Sequence, residues 1–151
     1  MKNSFALGAA FLICVLAKAN SYYVNDAALA GDVFTSAVGN NSNPGTAALP
    51  FATLTQVLTV AAANDTIFID AGIYSDKNQN ITQSNLVIIG AGSSKTNFNN
   101  NFASANTNYL LKILAPGVKV IGIMAIKYNN TTTGEGKVIT VSGAAGVYLQ
   151  D

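Results

Sequence analysis

The sequence predicts an all-β chain whose short strands coil turn upon turn as a solenoid, with one short helix ahead of the coil. Three observations point there. From Thr66 onward, β-branched apolar runs alternate with Gly, Asn and Ser, the pattern of strands and turns. The runs beginning at Thr66, Leu86, Val118 and Val147 follow one another after 20, 32 and 29 residues, an uneven period within the roughly 20–50-residue range of repeat architectures. The chain is 50% hydrophobic and only 10% charged, and it contains eighteen Asn, a turn-forming residue rather than a helix former.

Residues 1–19 have the three parts of a secretory signal: Lys2, an apolar stretch from Phe5 to Ala17, and the small-residue pattern Ala17-Lys18-Ala19. Thirteen apolar residues, at about 1.5 Å each, fall short of a hydrocarbon core of roughly 30 Å, so a signal is expected rather than an anchor. Cleavage is expected after Ala19. Cys14 lies inside the apolar stretch behind Ile13, where a lipidated cysteine would follow a small residue. The mature chain then holds no cysteine and no disulfide. Loss of Lys2 and Lys18 leaves six Lys against seven acids, a charge of −1.

The domain that follows, residues 20–151, begins with a short strand at Tyr22-Tyr23-Val24 and a long Gly-, Asn- and Ala-rich loop from Asn25 to Thr46. Thr53 and Gln56 have capping-box spacing, and Leu54, Val57, Leu58 and Ala61 share one helical face, predicting a helix over about 53–63 that Asn64-Asp65 ends. Rungs are expected from about residue 66. The strand runs are Thr66–Ile69, Leu86–Ile89, Leu110–Leu114, Val118–Ile121, Ile123–Ile126, Val138–Val141 and Val147–Leu149. In such a coil alternate side chains point inward, for which Ile67, Ile69, Val87, Ile89, Val118 and Val120 are the natural candidates. The helix is suited to cover the apolar interior and unpaired edge at the first end. The run at Val147–Leu149 has no polar cap behind it, so these are expected to be the first rungs of a longer protein.

The ordered series Tyr23-Val24-Asn25-Asp26, Gly39 to Thr46, Pro50-Phe51-Ala52-Thr53-Leu54, Asn64 to Ile69 and Ala71-Gly72-Ile73-Tyr74 resembles the entry segment of pectin-lyase-like proteins over about residues 22–92. It departs from that pattern at Asn64, where Gly is usual, and at Ile73, where Thr is usual. The resemblance implies a right-handed parallel β-helix. It implies less about function, because such proteins include calcium-dependent polysaccharide lyases with a Lys or Arg base, other carbohydrate-active enzymes and surface proteins without known activity. Their catalytic residues come from middle rungs, so no catalytic, cofactor-binding or metal residue is carried over. Calcium stays open for a full-length protein.

The residues themselves narrow the chemistry further. There is no His, Trp or Arg, and without a concentrated basic footprint nucleic acid is not an expected partner. Ile88 to Thr96 superficially has the shape of a phosphate loop, but Ser94 stands where Gly must precede Lys95 and the following Asn-rich stretch is a poor helix; a solenoid corner is expected instead. Asp70 and Asp76 flank the Ala71–Tyr74 turn and are weighed as calcium ligands against ordinary solvated turn residues. Lys112, Lys119 and Lys127 fall in predicted strands, as bases or, more simply, as solubilising outer-face residues. Tyr109, Tyr128 and Tyr148 are weighed as sugar-stacking rings against packing among strands, and the Asn clusters as axial amide ladders.

The expectation is a secreted, extracellular or cell-surface β-helix protein that binds polysaccharide or another surface polymer, without a membrane span after signal cleavage. The alternative is the N-terminal part of a polysaccharide lyase whose catalytic rungs lie downstream.

Overall fold

The computed structural model describes residues 18–99, 109–126 and 138–151. Residues 1–17, which hold most of the expected signal segment, and Lys127, Tyr128, Asn129 and Asn130 lie outside them. In chain order the elements are β1 Ser21–Val24, α1 Leu54–Leu58, β2 Thr66–Ile69, β3 Gly72–Tyr74, β4 Gln79–Ile81, β5 Val87–Gly90, β6 Thr96–Asn99, β7 Leu111–Ile113, β8 Lys119–Ile121, β9 Met124–Ile126, β10 Ile139–Val141 and β11 Tyr148–Gln150. The strands form three sheets, ordered β1-β2-β5-β8-β11, β3-β6-β9 and β4-β7-β10. Every pairing in them is parallel. From β2 the chain enters the three sheets in an unchanging rotation, so each circuit adds one strand to each sheet.

Parallel register stacks equivalent residues. Tyr22, Ile67, Ile88, Val120 and Leu149 form one row of the five-stranded sheet. Ile67, Ile88 and Val120 are buried in the common core, together with Tyr74 and Phe98 of the second sheet and Ile81, Leu111 and Ile113 of the third. Tyr74 and Phe98 meet there with ring centroids 5.2 Å apart. Strands this short suffice because a core between sheets needs only every second residue to be apolar.

The sharp entries to the five-stranded sheet also repeat. Asn64, Asn85, Gly117 and Gly146 each stand two residues before their strand, with φ of 70°, 58°, 71° and 66°. This left-handed backbone favours Gly and is tolerated by Asn. Asn85 Nδ2 donates to Asn64 Oδ1 at 3.0 Å, an amide ladder along the stack. Asn64 thus fills a glycine position and adds a bond that glycine lacks.

Beyond β1 the ladder continues without a named strand. Tyr23 N–H donates to Gly45 O, Phe51 N–H to Tyr23 O and Asn25 N–H to Phe51 O, each at 2.9 Å, so the outer edge of β1 is satisfied. The helix α1 packs beside β1, with Leu54 and Val57 buried in the core. Thr53 caps it, accepting from Gln56 N–H at 3.1 Å.

Three expectations are corrected. The helix has five residues rather than the span 53–63. Gln56 does not complete the capping box; its amide reaches Thr59 Oγ1, and Thr59 Oγ1 donates back to Gln56 O at 2.7 Å, a local bond that competes with helix continuation. Gln83 Nε2 then takes up the carbonyls of Leu58 and Ala61, both at 3.3 Å. Second, Val87 and Ile89 lie on the half-exposed outer side while Leu86 and Ile88 are buried, because the register sets Ile88 against Ile67. Third, β3, β4 and β6 are strands that the apolar runs did not reveal.

Candidate functional site

The lysines and tyrosines of interest divide between two outer faces. On the sheet β4-β7-β10, Asn80, Lys112 and Thr140 are register partners, and Tyr109 donates its hydroxyl to Asn80 Oδ1 at 2.8 Å. On the five-stranded sheet, Lys119 is the register partner of Tyr148, whose hydroxyl bonds Gln150 Oε1 at 2.8 Å. Lys112 and Lys119 therefore do not share a face. Lys127 and Tyr128 lie outside the described residues. Side chains in such a row repeat at the strand spacing of about 4.8 Å. The first face thus presents an amide, an ammonium and a hydroxyl in line, with an aromatic ring beside them. Such a row can hydrogen-bond successive groups of an extended polymer.

The carboxylates serve the fold. Asp26 accepts from Ala28 N–H at 2.7 Å and Ile73 N–H at 3.0 Å. Asp65 accepts from Asn20 N–H and Ala62 N–H, both at 2.7 Å. Asp76 takes Thr55 through its N–H at 2.8 Å and its hydroxyl at 2.6 Å. Asp70 is fully buried and accepts from Val33 N–H at 2.6 Å, Phe34 N–H at 2.9 Å, Thr35 N–H at 2.7 Å, Thr35 Oγ1 at 2.9 Å and Ala71 N–H at 2.8 Å. Asp70 and Asp76 are thus directed at two different segments rather than converging. Among the described residues no group of three or more His, Cys, Asp or Glu side chains is placed to hold a metal ion.

Asp70 anchors a loop that the sequence shows only as irregular. Gly39 N–H donates to Asp26 O at 2.9 Å, closing residues 26–39 into an Ω-loop. Asn25, itself fully buried, fills the base of this loop: Nδ2 donates to Asp32 Oδ2 at 2.7 Å and to Ala37 O at 2.9 Å, while Oδ1 accepts from Asp26 N–H at 2.8 Å. The approach is close enough that a Cβ on Gly39 would stand 1.9 Å from Asn25 O. Phe34, in the anchored stretch, lies 5.2 Å from Phe68, which stacks on Tyr23 at 5.2 Å and 17° on the outer side of β1 and β2.

The electrostatics of the loop oppose one another. Burial raises the Asp70 pKa, but the N–H groups of Val33, Ala71 and Phe34 and the Thr35 hydroxyl outweigh it and hold the group below the ordinary aspartate value of 3.8. Burial, with repulsion from Asp70 and Asp26, raises Asp32 above that value against the lowering bond from Asn25. Asp32 Oδ1 is buried without a hydrogen-bond partner. Tyr74, buried and facing the same three carboxylates, is held neutral, its pKa driven up first by burial and then by their charge.

The stretch Ile88–Thr96 is a corner. Lys95 and Thr96 N–H both bond Gly92 O at 2.8 Å. Thr96 Oγ1 is buried on Ile69 O and Asp70 O, and β6 follows where a phosphate loop needs a helix. The anchoring roles of Asn25 and Asp70 were missed from the sequence, whose only signal was an Asn-Asp pair opening a long loop and an Asp closing a strand.

Among the described residues no helix is long and apolar enough to cross a membrane. No curated protein and no solved structure matches the chain. One family model, described as Protein of unknown function (DUF1565), matches residues 37–83, from the end of the Ω-loop through α1 to β4, and that family is associated with right-handed β-helix proteins.

Proposed function

We propose that this chain is a secreted or cell-surface protein, built as a right-handed parallel β-helix with α1 as its first cap, that binds polysaccharide or another surface polymer along the stack. The unchanging rotation through three parallel sheets and the match over residues 37–83 support the β-helix reading. The burial of Leu54 and Val57 beside β1 supports the cap. The observation that carries the binding reading is the in-line row Asn80–Lys112–Thr140 with Tyr109 at its side. An extended polymer lying across the strands meets one polar side chain per rung, and the Tyr109 ring offers an apolar face for a sugar ring.

The test is retention of the purified chain on immobilised neutral and acidic polysaccharides, with affinity electrophoresis on those that retain it. Lys112→Ala is expected to weaken binding about tenfold, the cost of one charge-assisted hydrogen bond. Asn80→Ala removes an amide and the Tyr109 partner together, and is expected to do the same. Retention on no polysaccharide, or retention unaltered by either substitution, removes this face from consideration. Export is checked separately by N-terminal sequencing of the protein recovered outside the cell, which is expected to begin at Asn20.

A further inference from the structure

We infer that the Ω-loop of residues 26–39 is an acid-tuned flap over the aromatic outer face of β1 and β2, tightened when Asp32 takes up a proton and released when Asp70 does. The geometry has three parts. The flap's middle, Val33 to Thr35, is held by one buried carboxylate at the end of β2, which accepts three consecutive backbone N–H groups and one hydroxyl from it. Only ionised Asp70 has acceptor capacity on both oxygens for all of them. On the flap itself Asp32 has one oxygen on Asn25 and the other buried without a donor, an arrangement that suits a carboxylic acid better than a carboxylate. Phe34 rides on the anchored stretch and lies against Phe68, so release of Val33–Thr35 uncovers the Tyr23–Phe68 pair.

The charged and titratable groups around this latch come from each element packed against it. The flap contributes Asp26 and Asp32, the end of β2 contributes Asp70, and β3 contributes the neutral Tyr74. The corner before β6 meets Gly72 through the Lys95 carbonyl, with the Lys95 side chain exposed. The site is therefore one of carboxylates repelling one another, relieved by protonation of the least stabilised member.

The signs give a profile with a maximum. Asp32, raised in the folded state, destabilises the flap while ionised, so flap stability rises as pH falls through its folded pKa. Asp70, lowered in the folded state, stabilises the flap while ionised, and that contribution is lost as pH falls through its folded pKa. Asp32 is shifted up and Asp70 down from the ordinary value, so the tightest flap falls between the two titrations.

The experiment is amide hydrogen exchange on the whole chain from about pH 7 to about pH 2, with protection at Val33, Phe34 and Thr35 compared with strand amides of β2 and β5. Flap protection is expected to rise about threefold or more toward the maximum and to fall again below it, while strand protection stays flat across the rise. Asp32→Asn is expected to abolish the rise and keep the acid fall. Asp70→Asn is expected to lower flap protection wherever wild-type Asp70 is ionised and to remove the fall. If Asp70→Asn does not fold, the wild-type profile and Asp32→Asn still decide. Flap amides that follow the strand amides throughout, protection that only falls from neutral pH, or a rise that persists in Asp32→Asn overturns the inference.

Discussion

Asp70 Oδ1 and Oδ2 together accept five hydrogen bonds, and four of those donors are backbone N–H groups that have no other acceptor in a regular element. Leaving a buried donor unsatisfied costs about 1–3 kcal/mol. Asp70→Ala is therefore expected to destabilise the chain by about 3 kcal/mol or more, read as a lower denaturant midpoint with little change in slope. The loss should grow smaller below the ordinary value of 3.8, since the wild-type group contributes only while ionised. Gly39 is the second residue on which the loop depends: with Asn25 O standing 1.9 Å from a built Cβ, on backbone rather than on a movable side chain, Gly39→Ala forces the loop closure open. It is expected to cost about 2 kcal/mol or more, at the high end for a point substitution, and to lower thermal stability even though Gly39 is partly exposed. The sequence marks Asp70 as a turn residue. Apart from the adjacent Ala71 N–H, its partners lie 35 to 37 positions away, a distance at which no local pattern shows which backbone a carboxylate will hold.

Element by element, what was readable follows the length of the apolar signal. The strands β2, β5, β7, β8, β9, β10 and β11 lie within or beside apolar runs, with ends moved by about one residue. By contrast β3, β4 and β6 each bury only one or two side chains, Tyr74, Ile81, and Thr96 with Phe98; those of β4 and β6 stand among polar neighbours, and Tyr74 has only the exposed Ile73 beside it after Gly72, so no long run exists to be seen. In β5 the signal is present but has no phase: Leu86-Val87-Ile88-Ile89 is apolar at every position, and only pairing with Ile67 decides which half faces inward. Substitution tests that phase directly. Ile88→Ala is expected to cost about 2–5 kcal/mol, as for other buried large-to-small changes. Val87→Thr, on the outer side, is expected to stay within about 0.5 kcal/mol. Equal costs by chemical denaturation would mean that the register is shifted. The outer faces were legible only in part: Lys112 and Lys119 stood out as strand lysines, but their assignment to different sheets depends on the rotation of the coil and not on their spacing of seven residues.

At the scale of the whole molecule the two ends of the stack are unlike. At the first, Gly45 and Phe51 complete the hydrogen bonding of β1, and Leu54 and Val57 lie buried beside it. At the other, β11 pairs only with β8 and β10 only with β7 among the described residues. Leu149 continues the buried row of Ile67, Ile88 and Val120 yet is 51% exposed, and Val141, which continues Ile81 and Ile113, is 48% exposed. Unpaired strand edges with apolar side chains beside them are templates for pairing with another chain. In the 151-residue chain this end, rather than the outer faces, is therefore expected to drive self-association at high concentration. Leu149→Lys places a charge where a further strand would have to bury it, so sedimentation velocity should show a smaller concentration-dependent rise in mass than the unaltered chain gives. Leu114→Lys is the control, because Leu114 is also an exposed apolar residue, 39% accessible, but follows the interior strand β7. Equal suppression by both substitutions would assign association to general surface hydrophobicity. Suppression by Leu149→Lys alone assigns it to the open edge, because the two changes add the same charge and remove the same side chain and differ only in whether a strand can stack there.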